Sequence, residues 1–318
     1  MMSESQSHNT APVVLLGPQR HRTEVGAEVA RLRDGGRVAL ITSGWQEWEG
    51  DDAWLRDAVG GEVVNVDLYR RAEGIWADDP SLAAAHSELQ QRVRLLRRVY
   101  NARLEHAMDA WISIESMAGD PAVLDAERGS ALEGVRRLDR HHLGRIEGLR
   151  ADFDARMRPT DREGLRRERD AVIHTLRESS AIVVAGGQVA TLLNRLRLFD
   201  LAPILGERPV VAWSAGAMAL TERVVLFHDS PPWGPGHAEV GEAGLGLVSG
   251  LVALPNGRQR LRLDDPDRVG RMARRFSPDV CLSLDPGARA EWNGLAWVGG
   301  EGDRLLDAGG VEAWRAVA

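Results

Sequence analysis

Residues 208–219, Arg-Pro-Val-Val-Ala-Trp-Ser-Ala-Gly-Ala-Met-Ala, set one serine between a short apolar run and a small-residue segment of high helix propensity. A strand, a sharp turn at Ser214 and a helix opening at Ala215 would lift a hydroxyl off a sheet edge, beside backbone N–H groups free to stabilise an oxyanion. Ala212 replaces the first glycine of the usual G-x-S-x-G, and Gly216 keeps the second. An inert serine in a buried strand-to-helix turn has the same local pattern. Upstream, Gly186-Gly187-Gln188 ends the apolar run 181–185 and opens a helix over 189–199. Two glycines there allow a close backbone approach, so their N–H groups could complete an oxyanion hole; a plain tight turn reads the same way. Downstream, Arg258, Arg260 and Arg262 alternate with Gln259 and Leu261. If that segment is extended, all three point to one side, either to clamp a carboxylate or to protect an edge strand. His228 and His237 border a Pro/Gly-rich loop after the serine, and such a loop can fold back over a site.

These groups need a frame to hold them. Apolar runs at 13–16, 37–42 and 62–68 alternate with helical patterns at 24–33 and 51–59, so the chain opens as βαβαβ. Alternating strands and helices predict an α/β fold with a mostly parallel sheet covered on both faces and a site at the strand C-terminal ends. The loop 43–49 carries Trp45 and Trp48, which either line a cleft or cover the sheet edge. From about 81 to 179 the alternation stops. Leu89, Val93, Leu96, Val99 and Leu104 form an apolar stripe with an arginine-rich back, further helices are predicted at 122–138 and 143–157, and Thr160-Asp161-Arg162-Glu163 has the form of a capping box. This insertion is expected to be a helical hairpin or small bundle, and it offers a surface for a homodimer or a lid. The α/β unit is thus expected over 11–318, interrupted by 81–179. A helix at 265–276 and strands at 280–284, 288–292 and 295–298 close it, the last two joined through Asn293-Gly294.

Composition narrows the class. The chain has 47 acidic against 40 basic residues among 318, so no global basic field argues for nucleic acid or an anionic membrane. Its one cysteine, Cys281, allows neither an internal disulfide nor a cysteine-rich metal site. His141-His142 are adjacent rather than one helical turn apart, so they are not a metal pair. Residues 1–10 read as a disordered polar tail without a signal-peptide core, no later run reaches the length of a membrane span, and the expected location is the cytoplasm.

With Gly186-Gly187-Gln188, then Trp213-Ser214-Ala215-Gly216-Ala217, then Gly244-Leu245-Gly246-Leu247, the chain resembles the peptidase S51 family, which includes dipeptidase E and cyanophycinase. The resemblance covers about 12–70 and 180–300 and leaves the insertion outside. It implies a class I glutamine amidotransferase-like, flavodoxin-like fold, no metal and no cofactor, and a serine that attacks a peptide bond next to an acidic residue. Ser214 matches the nucleophile, Ala215 and the Gly186-Gly187 region match the oxyanion donors, and Gln188, Arg258 and Arg260 are substrate-binding candidates. The family's histidine falls on Asn256, and Asp285 or Glu291 is left as the orienting acid. Asparagine cannot take a proton from a serine hydroxyl near neutral pH. Two functions follow: a serine hydrolase acting through Ser214 with His237 or His228 as substitute base, or a degenerate relative that binds a small acidic peptide or a partner protein without cleaving it.

Overall fold

The computed structural model describes residues 11–20, 22–228 and 236–314, so the N-terminal tail 1–10 and most of the Pro/Gly-rich loop lie outside the described residues. The opening is the expected alternation: β1 (Val13–Leu16), α1 (Val25–Leu32), β2 (Val38–Ile41), α2 (Ala53–Val59) and β3 (Val63–Asn65). Each of β1 and β2 is buried along its whole length, which is why both read as continuous apolar runs. Helices then follow without a strand: α3 (Leu68–Asp78), α4 (Pro80–Glu115), α5 (Pro121–Met157) and α6 (Glu163–Arg177). The sheet resumes with β4 (Ala181–Val184), α7 (Val189–Leu198), the short α8 (Ala202–Leu205), β5 (Val210–Trp213) and α9 (Ala215–Leu220). The chain closes with β6 (Arg223–Leu226), β7 (Glu239–Ala243), β8 (Leu251–Pro255), α10 (Gly257–Arg260), α11 (Pro266–Phe276), β9 (Val280–Leu284), β10 (Arg289–Trp292), β11 (Trp297–Leu305) and β12 (Val311–Trp314).

The main sheet runs β3-β2-β4-β5-β1-β10-β11-β9-β8, with β12 paired to β11; β6 and β7 form a separate hairpin. Pairing is parallel from β3 to β1 and again between β8 and β9, and antiparallel through β10 and β11. The order β3-β2-β4-β5 follows the first four places of a flavodoxin-like sheet, and β1 fills the fifth. Between β2 and β4 the chain changes direction across the sheet, and the crevice outside those two strand ends is where open α/β sheets bind ligands.

Three apolar clusters hold these layers. One packs α1 and α2 on one face of the parallel strands. A second, on the opposite face, joins α3, α6, α7, α9 and the roots of α4 and α5. The third joins the middle of the long hairpin to α11, β8 and β9. The helical insertion thus shares its core with the body.

Several local expectations are corrected. No break separates 138 from 143, because α5 runs on with His142 stacked on Tyr100 at 4.1 Å, an aromatic contact that continues the helix interface. The buried stripe of α4 is Leu89, Tyr100, Leu104, Met108 and Trp111, and Val99 is exposed; the larger Tyr100 takes the inward place. Thr160 and Glu163 form no capping box, since α6 starts at Glu163 after Arg162 with no side-chain cap. The β6–β7 hairpin and β12 have no sequence signature strong enough to anticipate them.

Candidate active site

Ser214 joins β5 to α9 at φ 50°, ψ −116°, a backbone conformation that costs a non-glycine residue about 1–3 kcal/mol. Three contacts hold it there. Its N–H donates to the Leu16 carbonyl at 3.2 Å, and its own carbonyl accepts from Met218 N–H at 3.0 Å. Gly216, in the first turn of α9, lies so close to β4 that a Cβ there would stand 2.4 Å from the Val184 carbonyl oxygen. The turn is therefore over-determined by its surroundings, as a strained functional turn must be. Among the described residues the half-buried Ser214 hydroxyl has no hydrogen-bond partner, histidine included. Ala215 begins α9, where backbone N–H groups have no intrahelical acceptor.

The crevice beside Ser214 is built from glycines. A Cβ on Gly186 would lie 3.1 Å from Ser214 Cβ and 3.0 Å from Trp213 Nε1, and one on Gly187, at φ 125°, would lie 2.5 Å from the Gly44 carbonyl oxygen. Gly186, Gly187 and Ser214 are thus brought together at the β2–β4 crevice. Gly44, which the sequence reading passed over, closes its floor by accepting from Gln188 N–H at 2.8 Å. The Gln188 side chain is committed elsewhere, since its Oε1 caps α7 by accepting from Thr191 N–H at 2.6 Å. Trp45 packs inward, stacked on Trp54 at 5.9 Å, and Trp54 meets Trp213 edge-on at 6.1 Å. Trp45 therefore covers the sheet edge, whereas Trp48 is 70% exposed and does not.

Asn256 ends β8 in a left-handed conformation at φ 59°, ψ 38°, on the same sheet edge, and β8 packs directly against α9. Its N–H donates to Leu284 O at 3.0 Å, which ties it to the end of β9, but among the described residues its carboxamide bonds to nothing. Asp285, one residue beyond β9, is half-buried and fully engaged. One carboxylate oxygen accepts from Arg258 N–H at 3.1 Å, and the other from the Ser283 hydroxyl at 2.5 Å. The elbow and this turn are linked through β1, where Gly17 N–H donates to Ala288 O at 3.0 Å and Ala288 N–H to Asp285 O at 2.8 Å. Glu291 does not join the site; its carboxylate pairs with Arg31 and Arg289.

The arginines after Asn256 are not extended, contrary to the alternating pattern. The Asp285 carboxylate receives Arg258 N–H and the Asn256 carbonyl receives Arg260 N–H at 2.9 Å, which winds 257–260 into a helical turn. Arg258 turns to Asp303 at 2.6 Å. Arg260 lies 4.8 Å over the Phe227 ring with no acid partner among the described residues, and burial lowers its pKa. His237 lines a cavity of about 60 Å³ with Met108, Phe227, Phe276 and Arg268, bordered by no residue of the elbow, and burial first, then repulsion from Arg268, lowers its pKa. His228 follows β6 just before the undescribed loop. Cys281 is buried inside β9 with its thiol pushed up to about 12, which makes it inert as a nucleophile.

No family model matches the chain, and no curated protein matches it. Among solved structures, the crystal structure of a peptidase from an acI-B1 Actinobacterium is 11% identical, with 97% of this chain and 96% of that chain covered at a TM-score of 0.45. A likeness at that level assigns neither family nor activity. No helix among the described residues is long and apolar enough to cross a membrane.

Proposed function

We propose that the protein is a serine hydrolase of the S51 type, in which Ser214 attacks a peptide or isopeptide bond next to an acidic group. The observation that carries this reading is the strained Ser214 turn, opened toward the Gly186-Gly187 crevice. In the attack the Ser214 oxygen bonds to the carbonyl carbon as its proton passes to solvent water, and the carbonyl π pair becomes an oxyanion received by the N–H groups of Ala215 and Gly187. Its collapse breaks the C–N bond and releases the amine, which takes a proton from water, and a further water hydrolyses the acyl-serine. Arg260, stacked on Phe227 one helical turn after Asn256, is the cation available to a substrate carboxylate. Arg258 is already paired.

One observation favours the second reading, a degenerate relative that binds without turning over. The resemblance aligns Asn256 with the family's histidine, and among the described residues no imidazole hydrogen-bonds Ser214. Incubation of the full chain with a fluorophosphonate probe, followed by mass mapping, separates the two. Labelling confined to Ser214 and lost in Ser214→Ala supports the hydrolase. Labelling that survives Ser214→Ala would sink it, and an unlabelled protein that still binds an acidic dipeptide is the degenerate relative.

A further inference from the structure

The crevice outside β2 and β4 has two lips, the β2–α2 connection on one side and Gly186-Gly187 on the other. Trp45 reaches the glycine lip, since a Cβ on Gly187 would stand 3.0 Å from its Cδ1. Trp213, the residue before the nucleophile, reaches it as well. A Cβ on Gly186 would lie 3.0 Å from Trp213 Nε1 and 3.1 Å from Ser214 Cβ, so the indole N–H stands beside the serine. Trp54, in the first turn of α2, contacts both rings and completes an arc of three tryptophans. The fold leaves two parts of this arc unused. Trp213 is only 5% exposed, yet its Nε1–H meets no acceptor among the described residues and is not sealed from solvent. A buried indole N–H ordinarily finds a partner, and one left open at a crevice is a donor held ready for a ligand. Trp54 keeps 44% of its surface in solvent, an apolar area that no other part of the described chain covers. The connection 43–52 carries Glu47, Glu49, Asp51 and Asp52 and no basic residue. Asp52 is paired with Arg56 and Glu49 accepts from the start of α3, which leaves Glu47 and Asp51 exposed on this lip.

We propose that this arc is the subsite for the leaving group, an assignment that rests on the hydrolase reading. The residue on the amine side of the scissile bond carries an aromatic side chain that stacks on the exposed surface of Trp54, and its own carbonyl oxygen accepts from Trp213 Nε1–H. The direction follows from the sheet order: β5 has β4 and the arc on one side, and on the other β1, which leads to the Asp285 turn. The acidic group of the substrate lies toward Asn256 and Arg260, so the amine side runs over the arc. The lip selects the chemistry. Its donor is neutral and its exposed charges are acidic, so it suits an uncharged carbonyl better than a terminal carboxylate, as in a peptide that continues past that residue or ends in an amide. An exposed indole gains more from a second ring than from a methyl group, through both buried area and ring geometry.

Isothermal titration of the full chain carrying Ser214→Ala tests the subsite whether or not the serine is a nucleophile. Saturable binding of L-aspartyl-L-phenylalaninamide is expected, about tenfold tighter than that of L-aspartyl-L-alaninamide. In the same background, Trp54→Ala is expected to erase that preference and to keep the affinity for the alanine compound, which also shows that the variant is folded. Trp213→Phe keeps a ring and removes the N–H, so it is expected to weaken both amides about three- to tenfold. L-Aspartyl-phenethylamide has the ring but lacks that carbonyl, and its affinity is expected to be the same with and without Trp213→Phe. Absence of saturable binding, equal affinity for the two amides, a preference that survives Trp54→Ala, or an unaltered affinity in Trp213→Phe overturns the assignment. The hydrolase and the subsite fail separately. A preference in Ser214→Ala beside a wild type that no fluorophosphonate labels keeps the arc as the binding site of a degenerate relative, whereas labelling at Ser214 with no preference keeps the hydrolase and removes the subsite.

Discussion

A serine hydroxyl becomes a nucleophile near neutral pH only when a base can take its proton, and β8, which packs against the helix that follows Ser214, ends at Asn256 rather than at a histidine. General-base assistance is typically worth about 10² to 10⁴-fold, so wild-type turnover on acidic dipeptides and β-aspartyl substrates is expected to be slow and Asn256→His to raise it. The gain is expected to be partial, because the Ser283 hydroxyl and Arg258 N–H already occupy Asp285. Adding Ser283→Ala frees one carboxylate oxygen to orient the new imidazole, so the double variant should exceed the single one. Steady-state rates on folded protein check this, and equal rates in all three proteins would refute it. Gly216→Ala probes the turn itself: its Cβ would meet the Val184 carbonyl at 2.4 Å, so destabilisation by about 1–3 kcal/mol and loss of Ser214 labelling are expected.

At the scale of elements, the root of the hairpin is pH-sensitive through His86 on α4. The imidazole lies 5.0 Å from the Trp76 ring and 6.2 Å from that of Phe153. Burial first, then repulsion from Arg195 and Arg150, lowers its pKa from 6.5 to about 4. A base with a depressed folded-state pKa contributes stability that is complete above its unfolded value of 6.5 and is lost as pH falls toward and through about 4. Over that window the unfolded chain takes up a proton that the folded chain refuses, for a loss of up to roughly 3 kcal/mol. Urea denaturation at pH 7 and pH 4.5 is expected to show the loss in the wild type and a smaller one in His86→Leu. An identical pH dependence in the two proteins would remove His86 as the cause.

For the whole molecule, the hairpin is pinned to the body by a buried polar knot. Arg275 of α11 holds Asp139 of α5 with two bonds of 2.8 and 2.7 Å, and also donates to the Tyr100 hydroxyl of α4 at 2.9 Å. Val240 N–H of β7 donates to the same hydroxyl at 3.1 Å. Four elements meet at one buried cluster. Removing one partner strands a charge, so Asp139→Leu is expected to cost about 3–5 kcal/mol. Replacing both, as Asp139→Leu with Arg275→Met, is expected to recover most of that. The double-mutant cycle in chemical denaturation measures it, and a double variant no more stable than Asp139→Leu would show that the knot contributes more than charge pairing.

The alternation of apolar runs, glycines and helical stripes was enough to read an α/β sheet, a long helical insertion and a serine turn, because strand burial and helix periodicity are local properties of the chain. Gly186, Gly187 and Gly216 were legible for the same reason: a tight approach of backbone to backbone excludes other residues wherever it occurs. Long-range pairing was not legible. The place of β1 beyond β5, the winding of 257–260 by Asp285 and the withdrawal of His237 into a cavity away from the elbow depend on groups distant in sequence. Which arginine stays unpaired near Asn256 follows from those same distant contacts. A charge in the sequence carries its sign, but only tertiary packing decides how much of it is neutralised and how much remains for a ligand.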